Sequence, residues 1–340
     1  MPVIELDEER CNGCGLCEAF CPVSVFEMGE AGGRLLPVAV REEDCWACDT
    51  CVGQCPTGAL RVYAVPQASE TYEPVLEAAD GSRRIDHNGC HALEGTLANE
   101  KQAEYAAWSA TLERVLRLRW NPVAINLIPT GALLPRAPQP REKLRYCQSL
   151  MAARRGKSLL MPARCHACPD GTAILGLTEI PPKLASGELY IRFGKLATLE
   201  AARQMVAERP HLEPRSIQAT MVTPLAKAIQ PPDVVAVIAQ PEQMMWLCMA
   251  ASYYTGRRFD FKVSGYNAQC VETTLIPYTS GEINISLGCY GCRASSDIGD
   301  DLMFMGIPVA EMPGLVRGLE ALGKKAIPDS RLKIYLPPLP

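Results

Sequence analysis

Cysteine spacing constrains this chain more than any other feature. The stretch CNGCGLCEAFCP, Cys11 to Pro22, returns as CWACDTCVGQCP, Cys45 to Pro56, both reading C-x2-C-x2-C-x3-C-P at an offset of 34 residues. This is the run by which thiolates hold 4Fe-4S clusters. Cysteines two residues apart let a tight loop wrap its thiolates around one face of a cube. Gly13 and Gly15 permit the turns that a Cβ would block, and the loop amides can then point at cluster sulfurs. Pro22 and Pro56 stop any helix and turn the chain away after each fourth cysteine. Disulfides and zinc are the other uses for so many thiols, and eight cysteines repeated in register argue against both.

The doubled run resembles bacterial-type two-cluster ferredoxins. The resemblance implies that each fourth cysteine ligates the other cluster, so Cys11, Cys14, Cys17 and Cys55 hold the first while Cys21, Cys45, Cys48 and Cys51 hold the second. Short strands are expected at Val3 to Glu5, Val25 to Met28, Leu35 to Val40 and Leu60 to Tyr63, with a short helix after the third cysteine of each run. This reading gives a twofold βαβ repeat over residues 1–65. Residues 66–99 carry Pro, Gly, Ser and charge without period and read as a connector. It includes HNGCH, in which Cys90 between His87 and His91 reads as a spare thiol in a surface loop rather than a metal site.

With 340 residues, 48% of them hydrophobic, the chain can bury a core well beyond this module. Its sixteen cysteines would suggest disulfides in a small secreted protein, but MPVIELDEER has no signal-peptide pattern. No run of eighteen apolar residues is present, so no membrane span is expected. The chemistry points to a reducing cytoplasm, that of an anaerobe. The net charge of −4 is unevenly spread: residues 1–65 hold eleven acidic against four basic residues, or −7, which leaves +3 for the rest. Nothing in this pattern supports nucleic-acid binding, which needs a dominant basic field.

Residues 100–325 read as a larger domain of mixed α/β layers, making the whole chain α+β, with 326–340 as a tail. Tyr105, Trp108, Leu112, Val115 and Leu116 recur at helical spacing. PVAINLIP and DVVAVIA read as buried strands, and INISL and the stretch around Met303 as further strands. Helices are expected over Pro140 to Gly156, Thr198 to Glu208, Pro241 to Tyr254 and Pro313 to Leu322. Strands alternating with helices indicate a layered domain.

Two C-x2-C turns lie in this domain, Cys165 with Cys168 in RCHACPDG and Cys289 with Cys292 in GCYGCRAS. Brought together they would offer four thiolates, suited by count to zinc or to an iron–sulfur cluster alike. Two clusters elsewhere in the chain favour iron–sulfur. Cys248, between Trp246 and Met249, reads as core. Between Arg136 and Arg164 lie eight basic residues (Arg136, Arg141, Lys143, Arg145, Arg154, Arg155, Lys157 and Arg164) against Glu142 alone. Such a surplus either docks the acidic module or holds an anionic substrate, and Arg145, beside Cys147, is the candidate to face substrate. No phosphate loop, dinucleotide fingerprint or covalent haem motif is found.

From PVAINL through LRYCQSLMAARRG, CPDGTAILGL and DVVAVIAQPEQMMWL to INISLGCYGCR and MGIPVAEMPGLVRGLEAL, the chain resembles the domain-of-unknown-function family 169, over about residues 100 to 325. The resemblance picks out Cys147, Cys168, Cys270 and Cys289, the number of thiolates a 4Fe-4S cluster takes, with Cys165 and Cys292 as additions of this chain. Together these are the candidate metal ligands, and the four matched cysteines with Arg145 are the candidate catalytic groups. The expected function is an iron–sulfur oxidoreductase. In it the two-cluster module, charged by a redox partner protein, relays single electrons to a cysteine-lined site holding a third cluster, zinc or bare thiols, which acts on a small polar or anionic substrate. The alternatives are an electron-transfer subunit that docks a protein partner and a carrier of metal, cluster or sulfur. Met and aromatic residues around Met244 to Tyr254 allow a homo-oligomer face.

Overall fold

A computed structural model describes residues 3–45, 48, 50–63 and 91–325. The spare thiol expected at Cys90 beside His87 and the tail 326–340 lie outside the described residues.

The N-terminal module is built as two βαβ halves. Strand β1 (Val3–Leu6), helix α1 (Leu16–Phe20) and β2 (Phe26–Ala31) are followed by β3 (Arg34–Ala39), α2 (Thr50–Gln54) and β4 (Leu60–Tyr63). β1 pairs antiparallel with β4, and β2 with β3, so the first and last strands close the module. Its small core joins Val25, Phe26 and Leu60 to buried Cys21, Cys45 and Cys51. Gly13 is required by geometry as well as by its positive φ of 70°, because a Cβ there would stand 2.7 Å from the carbonyl oxygen of Leu35.

The larger domain is organised on one six-stranded sheet. Its strands are β5 (Val123–Pro129), β6 (Leu159–Pro162), β7 (Ile217–Pro224), β8 (Val234–Ala239), β9 (Asn284–Ser286) and β10 (Met303–Pro308), in the order β6-β7-β5-β8-β10-β9. Every pairing is antiparallel, which makes the chain α+β. β8 is buried at every position, as a central strand covered on both faces must be. Its side chains alternate: Val235, Val237 and Ala239 enter one core and Val234 and Ala236 the other.

The first core is formed with α3 (His91–Leu116), α9 (Pro241–Ser252) and α12 (Met312–Lys325). Leu112, Leu247 and Leu319 are wholly buried there, each stabilising by about 1.5–3 kcal/mol over an exposed position. α3 begins at His91, inside the stretch expected to be a connector.

The second face carries the thiols. It is covered by α4 (Tyr146–Arg154), α5 (Pro169–Ile174) and a π-helix over Ala268–Leu275. α4 is shorter than the expected helix over 140–156. Leu144 is held in a parallel bridge, its N–H donating to Cys165 O at 2.9 Å and its C=O accepting from Ala167 N at 2.9 Å. The backbone there is committed to extended geometry, and Arg145 becomes the N-cap instead. The expected helices at 198, 241 and 313 are α8 (Leu199–Glu208), α9 and α12, and the short α6 (Pro182–Ala185), α7 (Glu188–Arg192), α10 (Ile276–Ser280) and α11 (Tyr290–Ser295) complete the domain. Among the described residues no helix is long and apolar enough to cross a membrane.

Candidate functional site

The two cysteine runs fold around two cavities. One is lined by Cys21, Cys45, Cys48 and Cys51 together with Val25, Phe26 and Val62. The other is lined by Cys11, Cys14, Cys17 and Cys55 with Leu6, Met28 and Leu60. Each cavity thus takes three thiols from one run and one from the other, and four thiols around an apolar void fit a 4Fe-4S cube. Backbone amides already point at sulfur: Val25 N donates to Cys21 Sγ at 3.2 Å and Ala59 N to Cys55 Sγ at 3.3 Å. Burial pushes the Cys17 thiol up to about 11 and the Cys51 thiol up further, so in these pockets a metal must displace the proton.

The basic segment meets this module at the second cavity. Lys143 Nζ donates to Cys45 O at 3.3 Å, and the Arg145 guanidinium to Cys48 O at 3.0 Å. Lys183 adds a bond to Glu18 O at 2.8 Å, and the rings of Phe20 and Phe193 lie 5.0 Å apart. Three cations therefore bind main-chain oxygens of the acidic module rather than its carboxylates. Lys183 and Phe193 carry no motif that would have marked them in the sequence.

Cys147 lies two residues beyond Arg145, in the first turn of α4. Its thiol is raised by burial and accepts from Ser296 Oγ at 2.9 Å, with the charges of Cys289 and Arg145 also acting on it. Cys168, the N-cap of α5, accepts from Gly171 N at 3.5 Å and is pushed up to about 12 by burial, then by Asp170, with Arg145 and Cys147 in electrostatic reach. Cys270, on the π-helix, is raised well above the usual thiol range by burial and then by Cys168 and Cys289. A Cβ on Gly171 would stand 3.6 Å from both Cys168 Sγ and Cys270 Sγ, so this glycine leaves the two sulfurs their shared space. Charge effects link Cys147 to Cys289, Cys168 to Cys147, and Cys270 to Cys168 and Cys289, a ring of electrostatic neighbours that spans two apolar clusters. Ser296 Oγ reaches the sulfur of Cys147 and Gly171 N that of Cys168, while Cys270 Sγ itself donates to Asn267 O at 3.4 Å. Among the described residues no three His, Cys, Asp or Glu side chains close on a single metal ion.

The two further candidates go different ways. Cys292 joins Cys289, its thiol raised first by the hydrogen bond with Cys289 and next by burial. Cys165 packs instead against the sheet with Met161 and Ile174, its thiol raised by burial and lowered by Arg164 and Lys143. The structure does not bring it to Cys289 and Cys292. Cys248 is partly buried against the first core.

Behind the ring runs a buried polar network that no motif announced. Asp170 accepts from Arg209 at 2.8 Å, from Tyr190 Oη at 2.6 Å and from Asn267 Nδ2 at 2.5 Å. Asn267 adopts a left-handed φ of 55° just ahead of the π-helix. The one visible hint was Asp170 in the CPDG segment.

Comparisons with known proteins agree with this division. A family model described as a 4Fe-4S dicluster domain matches residues 10–59. A ferredoxin of Methanothermococcus thermolithotrophicus is 38% identical over 61 residues, 17% of this chain and 95% of its own length, and one of Thermococcus litoralis is 37% identical over 59 residues, with the same coverage. The uncharacterized protein MJ0308 of Methanocaldococcus jannaschii is 30% identical over 181 residues, 53% of this chain and 77% of its own. The DUF169 family model, described as uncharacterised ArCR, matches residues 111–318. The chain therefore belongs to the DUF169 family and carries at its N-terminus a ferredoxin-type electron-transfer domain for 4Fe-4S clusters.

Proposed function

We propose that this protein is an iron–sulfur oxidoreductase in which electrons cross from the N-terminal module into the ring of Cys147, Cys168, Cys270 and Cys289. Cys11, Cys14, Cys17 and Cys55 hold the outer cluster; Cys21, Cys45, Cys48 and Cys51 hold the inner one; the ring holds a third. When bound, such clusters supply one-electron carriers. The observation that carries the reading is Arg145, bonded to Cys48 O on one side and acting electrostatically on Cys147 and Cys168 on the other. The inner cysteine loop is thereby fixed against the segment that delivers the third site. Exposed Cys14 leaves the outer cavity open to a redox partner protein, and the ring acts on a small polar or anionic substrate.

The test is anaerobic iron and sulfide analysis of the full chain and of its Cys147→Ser, Cys168→Ser and Cys270→Ser variants. About twelve irons, falling to about eight in each variant, are expected from three cubes of four. About eight irons in the unaltered chain, unchanged by all three substitutions, would leave the N-terminal module as a relay without a third cluster to serve.

A further inference from the structure

We propose that Cys289 and Cys292 form a dithiol–disulfide pair that reduces a disulfide-bearing substrate, drawing its electrons through the N-terminal module. The pair is built into one short loop. Cys289 is the N-cap of α11 and Cys292 its third residue. Cys289 N donates to Cys292 Sγ at 3.1 Å, and the Cys292 thiol donates to Cys289 O at 3.1 Å, so the second sulfur is folded back onto the first residue. Gly288, at a φ of 84°, keeps the space beside Cys292, since a Cβ there would stand 3.3 Å from its sulfur. The Arg293 guanidinium pins the loop, reaching the carbonyls of Leu287, Gly299 and Leu302.

The two sulfurs differ in access. Cys292 is 2% exposed, whereas Cys289 is half-buried beside Tyr290, which is 76% exposed. An accessible thiol next to a buried one is the division of labour that thiol–disulfide exchange requires: one attacks, the other resolves. Cys289 also belongs to the thiol ring, so the exchanging sulfur sits where the electron route ends.

The Cys289 thiolate attacks one sulfur of the substrate disulfide, breaking that bond and releasing one thiol after protonation. Cys292 then attacks the Cys289 sulfur, releasing the second thiol and leaving a Cys289–Cys292 disulfide. Two electrons, passed singly from a low-potential one-electron donor, and two protons restore the dithiol. The balance is RSSR + 2e⁻ + 2H⁺ → 2 RSH. While the disulfide stands, Cys289 is withdrawn from the ring. This step rests on the electron route proposed above for its electrons, not for its thiol chemistry.

The test uses the full chain, anaerobically, with glutathione disulfide as probe and mass spectrometry after thiol alkylation. The unaltered chain should form a Cys289–Cys292 disulfide, Cys292→Ser should stop with glutathione on Cys289, and Cys289→Ser should form neither. Reduced methyl viologen should be consumed on adding glutathione disulfide, at least tenfold more slowly in either variant. Far-ultraviolet circular dichroism reports that the variants remain folded, and if they do not, disulfide mapping of the unaltered chain decides. An unaltered chain that keeps both thiols under excess glutathione disulfide, or that oxidises no viologen, overturns the proposal. Iron content separately decides the third cluster, so the two failures are told apart.

Discussion

The guanidinium of Arg145 donates to the main-chain oxygen of Cys48, 3.0 Å away, immediately ahead of the helix whose first turn bears Cys147. Its charge therefore stands between two sets of thiols. Arg145→Gln removes a cation from both and should lower the reduction potential of the nearer cluster, because the added electron loses the attraction of a neighbouring positive charge. Potentiometric titration followed by electron paramagnetic resonance reads this. Unchanged midpoints would show that Arg145 only holds the modules together.

Gly306 on β10 is the point where the π-helix touches the sheet. A Cβ there would overlap the carbonyl of Thr273 and stand 2.7 Å from Pro277 Cγ. Gly306→Ala should cost about 1–3 kcal/mol, as overpacked cores do, and should displace Cys270 with its helix. Denaturant unfolding gives the first number. Loss of Cys270 protection from alkylation gives the second.

The ion pair of Arg209 with Asp170 is nearly closed to water, their side chains 5% and 17% exposed. Asp170→Asn strands the guanidinium in the interior and should destabilise the domain by about 3–5 kcal/mol. A urea midpoint equal to that of the unaltered chain would mean that Tyr190 and Asn267 suffice to hold Arg209.

Much of this architecture is visible in the residues themselves. The doubled cysteine run specifies its module because few other uses of thiols need that register, and VVAVIA, after Asp233, is a central strand because none of its side chains is polar. The start of α4 is not visible. Pro140 resembles a helix start, yet Leu144 is taken by a bridge to a segment more than twenty residues away, and local propensity cannot anticipate a distant partner. The π-helix is hidden for a similar reason: AQCVETTL has no signature of its own, and its widened turn follows from Asn267 and the packing at Gly306. The resemblance named the four ring cysteines, but only the fold shows that Cys165 packs in the cluster of Cys270 and apart from Cys289 and Cys292.

Asp233 supplies a pH dependence. Its carboxylate accepts from Leu127 N at 2.7 Å, yet burial holds the carboxyl above its usual 3.8, with that bond pulling the other way. The unfolded chain gives up this proton first, so folding stability falls as pH rises from the unfolded value through the raised folded one and is flat above. Asp233→Asn removes the titration. Its stability relative to the unaltered chain should climb as pH rises from the unfolded value through the raised folded one and then level off. Parallel unfolding curves at every pH would contradict this.

Lys143, Arg145 and Lys183 grip peptide oxygens, not side chains, of the acidic module. Peptide oxygens are positioned by the course of the main chain, so what these cations recognise is the shape of the second cysteine loop and the end of α1, and a substitution of any acidic side chain of the module would leave all three bonds in place.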